Sequence, residues 1–184
     1  PETHFPLAGM RKTWWEQISL VEFFLAKKIN VAFFPYPANP WSKDWYKKIG
    51  RTIVTVHDCI PWTHSDYRRG LAAKMYHAQT KKAVRLADKI LTVSNYSKEM
   101  ITKVCGVKGE KIHVIYNDVD EAYKRPVDSD FASGVLREFG IKRGEFFLYC
   151  GGYDKRKNVD YLVEEYLASG SKWPLILVGE KLFD

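Results

Sequence analysis

Short runs of wholly apolar, β-branched residues recur along this chain, and stretches with helical spacing lie between them. Strands that are apolar throughout, rather than alternating, are buried on both faces, which is the signature of a parallel sheet. Their alternation with helices places the chain in the α/β class, with helices packed on both faces of the sheet.

The elements follow from the residues. WWEQISLVEFFLAKKI (14–29) predicts a helix, with Trp14, Ile18, Val21, Leu25 and Ile29 spaced by three and four. VAFFPY (31–36) and RTIVTVHD (51–58) read as strands, the first broken by Pro35, Pro37 and Pro40, the second ahead of Pro61. LAAKMYHAQTKKAVRLA (71–87) is Ala-rich and helical. KILTVS (89–94) is a strand, and Ser94 or Ser97 suits the cap of a helix through Met100 and Val104. KIHVIYN (111–117) and EFFLYCGGY (145–153) are strands, with a short helix, VLREFG (135–140), between them. NVDYLVEEYLA (158–168) is an amphipathic helix and PLILVGE (174–180) a last strand. The polar stretch 118–130 marks a domain boundary, giving one domain over 1–125 and the start of a second over 126–184.

Composition sets limits on function. With 46% hydrophobic and 28% charged residues, the chain has ample material for a core and no disorder signature. The net charge of +7 suits phosphorylated ligands, an anionic membrane face or nucleic acid. Its Lys and Arg are scattered, with short clusters such as Lys155-Arg156-Lys157 and no nucleic-acid-binding motif, so nucleic acid is not the expected partner. Cys59, Cys105 and Cys150 form no disulfide or zinc spacing, which favours a reducing compartment. Cys59 and Cys150 adjoin apolar runs and are expected to be small buried hydrophobes. No run reaches the length of a membrane span. The aromatic pairs Trp14-Trp15, Phe23-Phe24 and Phe33-Phe34 are expected in the core, and His4, His64, His77 and His113 as surface or packing residues.

In parallel sheets the strands' carboxyl ends share one edge, and ligands sit there. The segments at that edge are His57-Asp58-Cys59, Ser94-Asn95-Tyr96, Asn117-Asp118, Gly151-Gly152-Tyr153-Asp154 and Gly179-Glu180. The glycine pair, the basic turn and the helix from Asn158 suit a diphosphate: glycines permit close approach, a helix amino end offers N–H groups, and Arg156 and Lys157 add charge. The same residues equally make a solvated basic turn with Asn158 as a cap. His57 is placed to meet a substrate, or to pack in a turn with Asp58 capping the next turn. Ser94 suits a ligand hydroxyl or phosphate, or serves as a cap alone. No serine-hydrolase elbow, phosphate-binding P-loop or metal spacing is present.

The ordered set VTVHD…P, RLADKILTVSNYSKEMI, KIHVIYNDVD and FFLYCGGYDKRKNV resembles the retaining GT-B glycosyltransferases of family 4, many of them mannosyltransferases of polysaccharide and lipopolysaccharide assembly. The resemblance covers most of residues 50–180. It implies two Rossmann-like domains, an amino-terminal one for the acceptor and a carboxyl-terminal one for the nucleotide-sugar. It matches Arg156 and Lys157 to the pair contacting the donor diphosphate, and Gly151 and Gly152 to the turn beside it. His57 matches the histidine near the transferred sugar, and Asp58 and Ser94 fall on the acceptor side of the cleft. The implied donor is a GDP- or UDP-sugar, the acceptor a saccharide or lipid-linked saccharide, with no metal or other cofactor and no protein nucleophile. The implied location is the cytoplasm; the basic surface and Trp14, Trp15, Trp41 and Trp45 suit contact with anionic lipid at the membrane face, or equally buried tryptophans beneath a solvated basic surface. On the resemblance the chain is an internal piece, inactive alone, lacking the family's glycine-rich first loop and its glutamate motif. It also departs from the pattern: Asn117-Asp118-Val119-Asp120 replaces Asn-Gly-Val-Asp, and Gly152 stands where many relatives carry Arg. The rival functions are an epimerase or phosphorylase on the same scaffold, and a non-catalytic binding subunit.

Overall fold

The computed structural model describes residues 15–37, 48 and 50–180. Trp14, Trp41, Trp45 and His4 lie outside that set. The chain divides into two compact units, Pro1–Asp118 and Val119–Asp184.

In unit 1, β1 (Val31–Phe34), β2 (Arg51–Thr55), β3 (Lys89–Thr92) and β4 (Ile112–Val114) form a parallel sheet in sequential order. The register sets Phe34 beside Val54, Val54 beside Ile90 and Ile90 beside Ile112, one apolar row across a single face. Two helices cross between these strands, α3 (Leu71–Leu86) from β2 to β3 and α4 (Asn95–Cys105) from β3 to β4. Ala83 and Val84 of α3 and Ile101 and Cys105 of α4 are fully buried in the same cluster as that row. Right-handed crossovers in one direction place both helices on one face. Among the described residues, the opposite face of β1 carries Val31 and Phe33, both exposed.

Strands β2 and β4 are shorter than 51–58 and 111–117, but ladder bonds run on from Val56 N to Leu91 O and from Ile115 N to Thr92 O. Helix α4 begins at a serine cap and stops at Gly106, whose φ of +69° suits a residue without Cβ. Before β1, a π-helical turn (Trp15–Ser19) leads into α1 (Leu20–Ala26). This corrects the single 14–29 helix and its apolar face. Leu20 and Phe24 pack on the core and Phe24 meets Phe34 edge-on, while Ile18 and Leu25 face solvent. The wider π turn offsets the helical phase, and of the described members of the aromatic pairs Phe24 and Phe34 go inward while Trp15, Phe23 and Phe33 are exposed. Two short helices absent from the periodicity, α2 (Ile60–Thr63) and the 3-10 turn Ser65–Arg68, fill the path from β2 to α3.

Unit 2 contains α5 (Glu121–Lys124), α6 (Ser129–Glu138), β5 (Phe147–Cys150), α7 (Val159–Ala168) and β6 (Leu175–Val178). Strands β5 and β6 pair in parallel, with Tyr149 opposite Leu177. Helix α6 starts six residues before the expected VLREFG because Asp128 caps it, its Oδ1 accepting from Asp130 N and Phe131 N. Asp118, where relatives of the resembled family carry glycine, is not strained: positive φ occurs among described non-glycine residues only at Lys28 and Asn158.

Candidate functional site

Unit 1 brings His57, Asp58 and Ser94 to the carboxyl edge of its sheet. His57 follows β2, and two consecutive carbonyls there are held by hydroxyls from the β3–α4 segment. Thr92 Oγ1 donates to Val56 O at 2.7 Å, and Ser97 Oγ donates to His57 O at 3.1 Å. Thr92, Val56 and Ser97 are all buried, so these bonds are shielded from competing water. Ser94 joins the relay: its Oγ donates to Ser97 Oγ and accepts from Ser97 N, each at 3.0 Å. Ser94 is therefore the α4 cap, and it also fixes the backbone beneath His57.

The imidazole is held from the other side. His57 Nε2 lies 3.3 Å from Pro35 O, just beyond β1, and the Tyr36 ring lies 5.2 Å from the histidine ring. A carbonyl oxygen only accepts, so Nε2 carries the proton and the Nδ1 lone pair of the neutral ring is left as an acceptor. Asp58 Oδ1 accepts from Ile60 N at 2.9 Å and starts α2, the turn-capping role open to it from the sequence. Tyr116, beyond β4, accepts at Oη from Asn95 Nδ2 at 2.9 Å. Residues following all four strands thus meet at one edge, with Tyr36, His57, Tyr96 and Tyr116 exposed on it. A donor set of one histidine nitrogen, hydroxyls and aromatic faces suits a polyhydroxylated ligand.

Unit 2 brings together Gly151, Gly152, Arg156 and Lys157. Tyr149 Oη folds over Gly151 to donate to Gly152 O at 2.7 Å, and a Cβ on Gly151 would sit 3.0 Å from that hydroxyl. The glycine thus makes room for the chain's own tyrosine. Lys155–Lys157 form a 3-10 turn, and Asp154 Oδ1 lies 3.4 Å from Arg156 Nε, a charge contact without hydrogen-bond alignment. Asn158 stands at the cap position of α7 with φ +53°, but its side chain makes no capping bond. The capping role is thus corrected: Asn158 supplies a left-handed backbone turn, and the first N–H groups of α7 have no side-chain acceptor from it. With Arg156 and Lys157 exposed beside them, the turn offers N–H donors and positive charge to an anion.

The cysteines separate into two kinds. Burial pushes the Cys59 thiol up to about 12, helped by Cys105 and Asp58 nearby, and pushes Cys105 up to about 11 against the pull of Lys81 and Arg85. Both stay protonated and unreactive near neutrality. Cys150, expected to be buried, is exposed, because β5 presents it on an uncovered face. Among the described residues no His, Cys, Asp or Glu group could hold a metal ion, and no helix is long and apolar enough to cross a membrane.

Thr92, Ser97, Pro35 and Tyr36 were not legible as site residues. The nearest signal was the Ser94–Ser97 spacing, which reads as a helix cap and says nothing of the carbonyl reached beyond it.

Comparison with known proteins agrees with this architecture. The O-antigen chain mannosyltransferase RfbU of Salmonella typhimurium is 30% identical over 126 residues, 68% of this chain and 31% of that protein. The structure of Anabaena HepE in complex with UDP and glucose superposes with a TM-score of 0.57 at 18% identity, over 90% of this chain and 43% of that one. A glycosyltransferase from Rickettsia africae superposes with a TM-score of 0.51 at 14% identity, over 99% and 54%. The chain spans less than a third of RfbU and less than half of HepE. At these identities the structures establish a shared α/β fold. The sequence model of Glycosyltransferase Family 4 matches residues 2–123, about two thirds of the chain and all of the described edge around His57 and Ser94, so the chain belongs to glycosyltransferase family 4.

Proposed function

We propose that the protein transfers a mannose-like hexose from a GDP- or UDP-sugar to a saccharide or lipid-linked acceptor, with retention, in polysaccharide or lipopolysaccharide assembly. The observation that carries this reading is the family 4 match over unit 1, which contains the edge where His57 is fixed by Pro35, Thr92 and Ser97. The sugar assignment is supported by RfbU being a mannosyltransferase, and the donor class by HepE having been solved with UDP and glucose.

Unit 1 (1–118) takes the acceptor in this proposal, and unit 2 (119–184) begins the donor-binding part. The leaving nucleoside diphosphate gathers negative charge as the glycosidic bond breaks. Arg156, Lys157 and the amino end of α7 stabilise that charge more in the transition state than in the ground state. His57 positions a sugar hydroxyl through the Nδ1 lone pair, and Ser94 and Asp58 hold the edge around it. No step calls for a metal. The reaction takes place at the cytoplasmic face of the membrane, where lipid-linked acceptors reside.

The test is transfer by the full-length protein, with GDP-mannose and UDP-glucose offered beside a lipid-linked saccharide and the product anomer read by NMR. A new glycosidic bond with the donor's anomeric configuration supports the proposal. Inversion removes the retention claim. Isomerised or phosphate-cleaved sugar with no transfer replaces the proposal with the epimerase or phosphorylase reading.

A further inference from the structure

We propose that the amino edge of the unit 1 sheet, opposite the edge bearing His57, holds a second anion site that takes a phosphate-bearing ligand. An open cleft of about 620 Å³ lies there, lined by Arg85, Lys89, Gly106, Lys108, Glu110 and Lys111. It forms where α3 ends, β3 begins at Lys89, α4 ends and the chain turns into β4. Four cations face one carboxylate, Glu110. Like charges gathered in a concavity repel one another, and an oxyanion bound among them relieves that repulsion.

Two helix carboxyl ends point into this region, and their partial negative charge would by itself repel an anion. The structure deals with both ends. Arg85 Nε donates to Cys105 O, the last carbonyl of α4, at 2.7 Å. Lys111 Nζ donates to Arg85 O, near the end of α3, at 2.9 Å. Each cation thus pairs with a carbonyl at a helix's carboxyl end, and each keeps donors in reserve: the two terminal nitrogens of Arg85, and the remaining N–H bonds of Lys111. Because folding already anchors these two side chains, a ligand would not bear the cost of ordering them.

Lys111 carries a further sign of an unmet charge. Burial lowers its pKa, and Asp88 only partly offsets that. The Asp88 carboxylate is committed elsewhere, its Oδ2 accepting from both Thr52 N and Thr52 Oγ1. A phosphate oxygen at Lys111 would supply the missing counter-charge, with Lys89 and Lys108 closing the rim. The ligand chemistry is a phosphate or diphosphate group, whether free in solution or on a lipid headgroup. The site uses none of the residues of the proposed transferase reading and stands or falls without it.

The experiment is a titration of the ¹⁵N-labelled chain with inorganic pyrophosphate, read residue by residue, for the wild type and a Lys89→Glu/Lys108→Glu variant. Both lysines are exposed, so the fold is expected to survive, and unchanged amide shifts across the core of α3 and α4 check it. The proposal predicts saturable shifts at residues 106–111 and an affinity at that site weakened at least about tenfold by the charge reversals. Shifts at 151–158 report the other anion-binding turn and are expected to be untouched by the substitutions. Absence of a saturable response at 106–111, or a response that the variant leaves unchanged, overturns the site. Sedimentation with vesicles of phosphatidylcholine and phosphatidylglycerol then assigns the source. Loss of vesicle binding in the variant identifies a lipid headgroup, and unchanged vesicle behaviour with lost pyrophosphate binding identifies a free anion.

Discussion

Replacing Thr92 by valine tests the buried hydroxyl that holds the strand beneath His57. Thr92 is 1% exposed, and its Oγ1 donates to Val56 O at 2.7 Å across the β2–β3 boundary. Valine keeps the shape and the strand preference but removes the donor. Leaving a buried carbonyl without its partner costs about 1–3 kcal/mol, and the added buried methyl returns less than about 1, for a net loss of about 1–2 kcal/mol. Thr102→Val is the matched control: Thr102 Oγ1 also donates to a carbonyl, Lys98 O at 3.0 Å, but on an exposed face of α4. There water replaces the lost donor, and the change should stay within about 0.5 kcal/mol. Amide hydrogen exchange of Val54 and Ile90, both fully buried on central strands, reads the stability of unit 1 alone. Equal effects from the two substitutions, or none from Thr92→Val, would refute the claim that this hydroxyl anchors the edge.

Three further outcomes rest on the same geometry. Alkylation of the folded chain should modify Cys150 readily, with Cys59 and Cys105 reacting only on unfolding. Because the thiols of the unfolded chain ionise first, above pH about 9, while the buried ones stay protonated, stability is full below pH about 9 and falls toward about 11–12, which denaturant melts across this range will show. Long-range ¹H–¹⁵N NMR should find neutral His57 protonated at Nε2, and in the full-length enzyme His57→Asn, whose amide overlays Nδ1, should retain more activity than His57→Gln, whose amide overlays Nε2; the reverse order would show that the Pro35 contact does not select the working nitrogen. Asn158→Gly should be neutral or stabilising because φ is +53°, whereas Asn158→Ala should cost about 1 kcal/mol in a thermal melt.

The architecture was legible because apolar runs such as 51–56 and 89–92 announce parallel strands, and the intervening helices carry unmistakable spacing. Ser94 was legible as a cap, since a short polar side chain before a helical run has few other uses. Where local signals compete with tertiary context, the reading failed. The stretch from Trp15 to Ala26 contains several apolar faces, and only packing against Phe34 selects Leu20 and Phe24. Cys150 sits in an apolar run, yet its exposure depends on which face of β5 is covered, something periodicity does not encode. The candidate residues of the two units show the same division. His57 and the Gly151–Lys157 turn are marked by position after a strand, while Thr92, Ser97 and Pro35 act through carbonyls distant in sequence. The ion pair between Asp154 and Arg156 likewise arises from the tight 3-10 turn rather than from residue type.

The central claim is that the turn after β5 receives the donor diphosphate. Calorimetric titration of the full-length protein with GDP, UDP and their sugar conjugates tests it most directly, beside an Arg156→Ala/Lys157→Ala variant. The account predicts preferential binding of one nucleotide, weakened in the variant by about 2–4 kcal/mol, or roughly thirty- to a thousandfold, for the loss of two charged contacts. Nucleotide binding unchanged in the variant, or no binding of either nucleotide, would contradict it.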